Sequence, residues 1–323
     1  MLSPNRRASS SESPRKLAFV LGGGGARGAM QVGALRILLE AGIQPDMLVG
    51  TSIGAVNAAM VTINGLSTEG LERLERAWLD AKDAHLLSGD YLKLALRTVV
   101  NRMGSEKYRQ EMRAFYIRNG LTPDLRFDDF SHPRLYCIAT DLNRYEPYIF
   151  GVHPEDRILD GVMASSAIPP WIPPLRLGKE WLMDGGALSN LPVEPAIRLG
   201  ATEIIALDLF DPRPSDPDAH GFSPFLDKLL TSVEHRQVAM ELALAEARGI
   251  PVHHWRFRYR EMVPVWDFSH TEELMHTGYV QAQAYLQKMQ AQQAAERREA
   301  SNAGLWQRWM AWLKKQCLWS FTN

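Results

Sequence analysis

Two short apolar runs, each stopping at glycine and each followed by a helical pattern, constrain this chain more than anything else in it. Leu17 to Leu21 stops at Gly22-Gly23-Gly24-Gly25. Ala29 to Leu39 then carries apolar residues at Met30, Ala34, Leu35, Leu38 and Leu39, with Gly42 as the stop. Met47 to Val49 ends at Gly50, and Ala55 to Ile63 returns to helix. The opening therefore reads β-loop-α-β-turn-α, which implies a parallel sheet with right-handed crossovers. The chain has 323 residues, 46% of them hydrophobic, enough for one large α/β core. The expected fold is a three-layer α/β/α sandwich around a mostly parallel sheet.

Further along, strand-like runs fall at Leu135 to Thr140, Tyr145 to Phe150, Trp181 to Met183 and Glu203 to Leu209. Helical patterns cover Pro154 to Ser165, Pro192 to Leu199, Pro224 to Arg248 and Thr271 to Glu299. The Pro-rich stretch Ile168 to Pro174 cannot continue a helix, and Asp211 to Gly221 reads as a polar loop. Ser269 and Glu272 have capping-box spacing before the last helix. Leu66 to Asn119, rich in Leu, Arg and Glu at helical spacing, predicts a helical insertion over about 66–120 that covers the site.

The expected organisation is a flexible basic tail over 1–16, a catalytic domain over 17–300 and a Trp-rich amphipathic helix over 301–323. The tail has no apolar stretch before Leu17, so it is not read as a secretory signal. In the last segment Trp306, Trp309 and Trp312 stand beside Arg308, Lys314 and Lys315, with Trp319 just after. That mixture over 305–319 suits a helix lying at a lipid surface, or one packed on the domain or a partner subunit. Lys and Arg number 36 against 37 Asp and Glu, a balance that gives no sign of nucleic acid. Cys137 and Cys317 lie far apart and lack metal spacing, which favours a reducing compartment. The expected location is cytoplasmic, with peripheral attachment at the inner face of the membrane as the option the last segment offers; oligomeric state is not legible.

Three motifs carry chemistry. In Gly22-Gly23-Gly24-Gly25-Ala26-Arg27-Gly28, between strand and helix, glycines expose backbone amides beside a helix N-terminus, a concavity for negative charge. A dinucleotide site would need an acid at the end of the second strand, which instead ends Gly50-Thr51-Ser52. A phosphate loop would need a Lys-Ser or Lys-Thr pair after the glycines, and none follows. An oxyanion hole remains, or a turn without chemistry. Gly50-Thr51-Ser52-Ile53-Gly54 matches GxSxG at a strand-to-helix junction, the setting of a nucleophile elbow, with Gly50 and Gly54 where backbone must pass closely; a serine that only caps the helix is the other use. Nine histidines are available, but none sits in a glycine-marked turn. Asp184 does, after Trp181-Leu182-Met183 and before Gly185-Gly186. Apolar surroundings would raise its pKa and suit it to act as base on Ser52, unless it merely makes an Asp-Gly turn.

These motifs, in this order and with Ala164-Ser165-Ser166-Ala167-Ile168-Pro169-Pro170 as a fourth, resemble the patatin-like phospholipase family, in its bacterial form with a compact catalytic domain. The resemblance covers about 17–209. It implies a Ser–Asp dyad without histidine, Ser52 and Asp184. It also implies an oxyanion hole from Gly23, Gly24, Gly25 and Ala26, chiefly the amides of the last three. Arg27 matches the family's basic residue there, followed by Gly28, and either holds the loop in shape, the preferred role, or meets a lipid phosphate. Acyl-ester substrates such as phospholipids follow from the resemblance, with hydrolysis through an acyl-enzyme. No metal or organic cofactor is expected, and no Asp-rich calcium loop is present. The alternatives are an acyltransferase, in which an alcohol replaces water, and a membrane-associated regulatory or scaffold protein of little activity.

Overall fold

The structure, a computed structural model, describes residues 15–83, 106–169, 171–211 and 222–319, without side chains at 222–224, 226–227, 296–297 and 300–319. Eight strands form one sheet: β1 (Leu17–Leu21), β2 (Met47–Thr51), β3 (Arg134–Asp141), β4 (Glu146–Phe150), β5 (Leu175–Leu177), β6 (Glu180–Asp184), β7 (Glu203–Asp208) and β8 (Val252–Arg256). Strands β8, β7, β1, β2 and β3 are parallel neighbours in that order. The helices are α1 (Ala29–Glu40), α2 (Ile53–Asn64), α3 (Thr68–Asp83), α4 (Glu106–Arg118), α5 (Ile158–Ser165), α6 (Val193–Arg198), α7 (Phe222–Ala247) and α8 (Thr271–Trp319).

Alternation along β1 explains the layers. Phe19 and Leu21 join a core with Met30 and Leu35 of α1, Ala55 and Ala59 of α2 and Leu274 of α8. Ala18 and Val20 point the other way, into a core with Val193 and Ile197 of α6 and Val238 of α7. Both faces are covered, so β1 is buried throughout and its sequence shows no polar alternation. The chain steps one way from β1 to β2 with α1 on one face, and the opposite way from β7 to β8 with α7 on the other. Right-handed crossovers require that switch of face. The reversal lies between β1 and β7, and the glycine loop leaves β1 there, the usual position for a ligand site in such sheets.

One detail of the sheet decides the site. β2 pairs along β3 as far as Thr51 opposite Ile138. β4 takes the other edge of β3. Beyond Thr51 the edge that β2 vacates is taken by β6, antiparallel, with Asp184 opposite Ala139. Ile138 and Ala139 are neighbours in sequence, so the end of β2 and the end of β6 meet head to head.

The three-layer expectation holds, with β4, β5 and β6 as antiparallel additions. α5 starts at Ile158 rather than Pro154, because the Asp156 carboxylate accepts from Gly151 N (3.0 Å) and closes a turn ahead of it. β5 and β8 had no sequence signal: β5 has three residues, and His253 and His254 interrupt the apolar run of β8. Those histidines face Glu203 (3.0 Å) and Asp208 (2.7 Å). The capping box is not formed; the Asp267 side chain accepts from Ser269 N (3.0 Å) and caps a short 3-10 turn before α8. α8 continues without a break past Glu299 to Trp319. The tail up to residue 14, the middle of the helical insertion (84–105) and the tryptophan side chains of 305–319 lie outside what is described, whereas Arg15 pairs with Glu203 (2.5 Å).

Candidate active site

β2 ends in a sharp turn at Ser52, with φ 56° and ψ −124°. Among the described residues only Ser52 and Tyr145 have positive φ without being glycine. Such a conformation costs about 1–3 kcal/mol and persists only where neighbours enforce it. Here Ser52 N donates to Ser165 Oγ (2.9 Å), and that hydroxyl donates to Ile138 O (2.5 Å). Thr51 Oγ1 donates to Ser189 O (2.8 Å). A Cβ on Gly50 would stand 2.4 Å from Gly54 O, and one on Gly54 would stand 2.1 Å from Leu21 O. The elbow's glycines are therefore required by close backbone approach. Ser52 is 4% exposed and lines a cleft above the strand ends.

Asp184 closes β6, in the position the β3 edge dictates. Its N–H donates to Ala167 O (3.1 Å), and its own carbonyl accepts from Thr140 Oγ1 (2.9 Å). Gly186 N donates to Oδ1 (2.8 Å). Burial pushes its pKa up to about 6, while the Ser52 hydroxyl against it and the Gly186 amide pull the other way. Oδ2 is buried and makes no well-aligned hydrogen bond among the described residues. The structure thus brings Ser52 and Asp184 together, 132 positions apart in sequence.

The glycine loop lies beside them, but not all of it is free to donate. Gly23 N is committed to Asn190 O (3.0 Å) and Ala26 N to Val265 O (2.9 Å). Of the expected oxyanion donors, Gly23 and Ala26 thus already donate within the protein, and a single N–H serves two acceptors poorly. Gly24 N and Gly25 N donate to no acceptor among the described residues and are the amides left. Gly25 has φ +56°, and a Cβ there would lie 2.3 Å from Val265 O. Arg27 folds back on the loop, its Nε donating to Gly24 O (3.2 Å). Gly28 gives its carbonyl to Asn57 Nδ2 (3.0 Å) beneath the elbow helix.

Helices α2, α3 and α4 wall a cleft that opens at Ser52 and is lined by Val56, Leu74, Trp78, Phe115 and Tyr116 among others. Residues of α3 and α4, the described ends of the expected insertion, line this cleft. Its apolar lining suits an acyl chain. No histidine among the described residues lines it. Among the described residues no group of His, Cys, Asp or Glu is arranged to hold a metal, and no helix is long and apolar enough to cross a membrane.

Several participants had no assigned role in the sequence. Ser165 and Ser166 stand in a recognised segment, but nothing local says that the first holds the elbow. Asn190 touches the loop twice, through its carbonyl on Gly23 N and through Oδ1, which would be 2.3 Å from a Cβ on Gly23. Its Nδ2 donates to Glu234 of α7. Burial lifts Glu234 to about 7, opposed by the nearby Arg27 charge.

Residues 19–197 match the patatin-like phospholipase family. The chain is 28% identical over 300 residues to lysophospholipase nte1 of Aspergillus terreus, covering 85% of this chain and 18% of that protein. It is 32% identical over 209 residues to human patatin-like phospholipase domain-containing protein 6, covering 64% of this chain and 14% of that one. It therefore spans less than a fifth of these curated relatives. Among solved structures it is similar to VipD of Legionella pneumophila (TM-score 0.40, 14% identity, 85% of this chain and 67% of that one) and to ExoU of Pseudomonas aeruginosa in its complex with SpcU (TM-score 0.39, 16% identity, 86% and 52%). With more than half of its length matched, including the glycine loop, the elbow and the Asp184 turn, this chain belongs to the patatin-like phospholipase family.

Proposed function

We propose that this protein is a serine lipid-acyl hydrolase in which Ser52 is the nucleophile and Asp184 the base. One observation carries the reading: a serine on a positive-φ elbow lies against a buried carboxyl, at the mouth of an apolar cleft. A carboxyl lifted to about 6 is a much better base for a hydroxyl than a solvated one. Asp184 takes the proton as Ser52 Oγ attacks the ester carbonyl. The Gly24 and Gly25 amides hold the oxyanion, aided by the N-terminus of α2 behind Ser52. The alcohol leaves with that proton, and water, activated by the same carboxylate, then releases the acid. Fatty-acyl esters of phospholipids or lysophospholipids are the proposed substrates, on the strength of the family and of the relatives' names.

Peripheral attachment to a membrane through the end of α8 is part of this reading; its support is the Trp, Lys and Arg content of 305–319. The test is labelling by a fluorophosphonate probe. Wild type labels, Ser52→Ala does not, and Asp184→Asn labels far more slowly. Undiminished labelling of Ser52→Ala places the nucleophile elsewhere.

A further inference from the structure

Two hydroxyls in the cleft take no part in the chemistry above. Tyr116 of α4 and Ser166, which follows the elbow's buttress Ser165, are each 5% exposed and line the cleft with Ser52. Ser166 is pinned by its backbone, its N–H on Val162 O (3.0 Å) and its carbonyl on Ile168 N (2.9 Å), and the next residue accepts from Asp184 N. Ser166 Oγ has no well-aligned hydrogen-bond partner among the described residues, and neither has Asp184 Oδ2. Each group has only a loosely placed hydroxyl beside it, Tyr116 for Ser166 and Ser52 for the Asp184 carboxyl, so both keep capacity for a ligand atom that approaches the nucleophile. Burial pushes the Tyr116 phenol up to about 12, the Asp184 charge adding to the rise and a hydrogen bond with Ser166 opposing it. It therefore acts only as a neutral O–H group.

Resting on the dyad reading, we propose that the Tyr116 and Ser166 hydroxyls, with Asp184 Oδ2, form the subsite for the oxygen that leaves and re-enters. That oxygen belongs to the ester's alcohol in the first half-reaction and to water in the second. The two share one place because the second half-reaction reverses the first with a different O–H compound. In acylation the Ser52 Oγ–carbon bond forms, the bond from carbon to the alcohol oxygen breaks, and the serine proton passes through Asp184 to that oxygen. In deacylation the water oxygen bonds the acyl carbon, the carbon–Oγ bond breaks, and a water proton passes through Asp184 back to Oγ. A bound water takes two to four polar partners, and this trio supplies three. The same trio sets the competition between water and an acceptor alcohol, and hence between hydrolysis and acyl transfer.

Stopped-flow hydrolysis of p-nitrophenyl butyrate by the full chain tests this, with Tyr116→Phe and Ser166→Ala as separate variants. Nitrophenolate leaves without a proton, so acylation bypasses the subsite and deacylation does not. We expect acylation within about threefold of wild type and deacylation at least about tenfold slower, giving a nitrophenol burst equal to the enzyme concentration. With methanol added, the ratio of methyl ester to free acid made by Tyr116→Phe rises at least about threefold. Equal slowing of both steps in both variants, or no change in either, overturns the inference. So does a raised KM for long chains with the partition unchanged, which would make Tyr116 a wall of the acyl site. A burst retained by Ser52→Ala overturns the dyad itself, and is read separately from the variants' partition.

Discussion

Asp184→Asn should make this protein more stable at neutral pH while removing its activity. The Asp184 carboxyl rises from an ordinary 3.8 to about 6 in the fold, chiefly through burial. In acid below 3.8 both folded and unfolded chains hold the proton, and the group is neutral to stability. As pH rises the unfolded chain releases it first, so the folded state is progressively penalised until the folded carboxyl also ionises near 6. Above that the full cost persists, about 3 kcal/mol as an upper bound from the displacement alone. Asparagine keeps an oxygen for Gly186 N and carries no charge, so it escapes the penalty. It also relieves Glu234, whose pKa the Asp184 charge helps to raise. Urea unfolding of both proteins should then show the variant more stable by about 2–3 kcal/mol near pH 7.5, with the gap closing by about pH 4. A variant that is equally or less stable near pH 7.5, or a gap that does not change with pH, would refute the claim that burial raises this carboxyl.

The same carboxyl sets the activity profile: kcat/KM on a soluble ester should fall about tenfold per pH unit below about 6, and a profile flat down to about pH 4.5 would exclude Asp184 as the base. Ser165→Ala strips the partner from Ser52 N and from Ile138 O, and should lower stability by about 1–3 kcal/mol and kcat by more than about tenfold, measured by urea unfolding and steady-state rates. Gly25→Ala puts a methyl against Val265 O at a left-handed position, so fluorophosphonate labelling should slow at least about a hundredfold while the fold survives by circular dichroism. A chain ending at Gly304 should lose co-sedimentation with anionic liposomes but keep soluble-ester hydrolysis; equal sedimentation of both chains would remove the C-terminal helix from the membrane reading.

The parts legible in the sequence are those whose cause is local. Leu17 to Leu21 is apolar throughout because β1 is buried on both faces, and the glycines of the elbow are fixed by contacts within a few residues or with the adjoining strand. Those features determined the parallel α/β opening, the elbow at Ser52 and the marked turn at Asp184. What the sequence left open depends on distant partners. The loop has a run of amides, and only the fold decides that Asn190 and Val265 consume two of them and leave Gly24 and Gly25. β8 was hidden because its His253 and His254 are made acceptable by Glu203 and Asp208 on the strand beside it. Ser166 and Tyr116 acquire meaning only where α4 folds over the elbow. The meeting of Ser52 with Asp184 has the same origin. Residue types 132 positions apart state no distance, and the pair is made when β6 takes the edge of β3 that β2 gives up at Thr51.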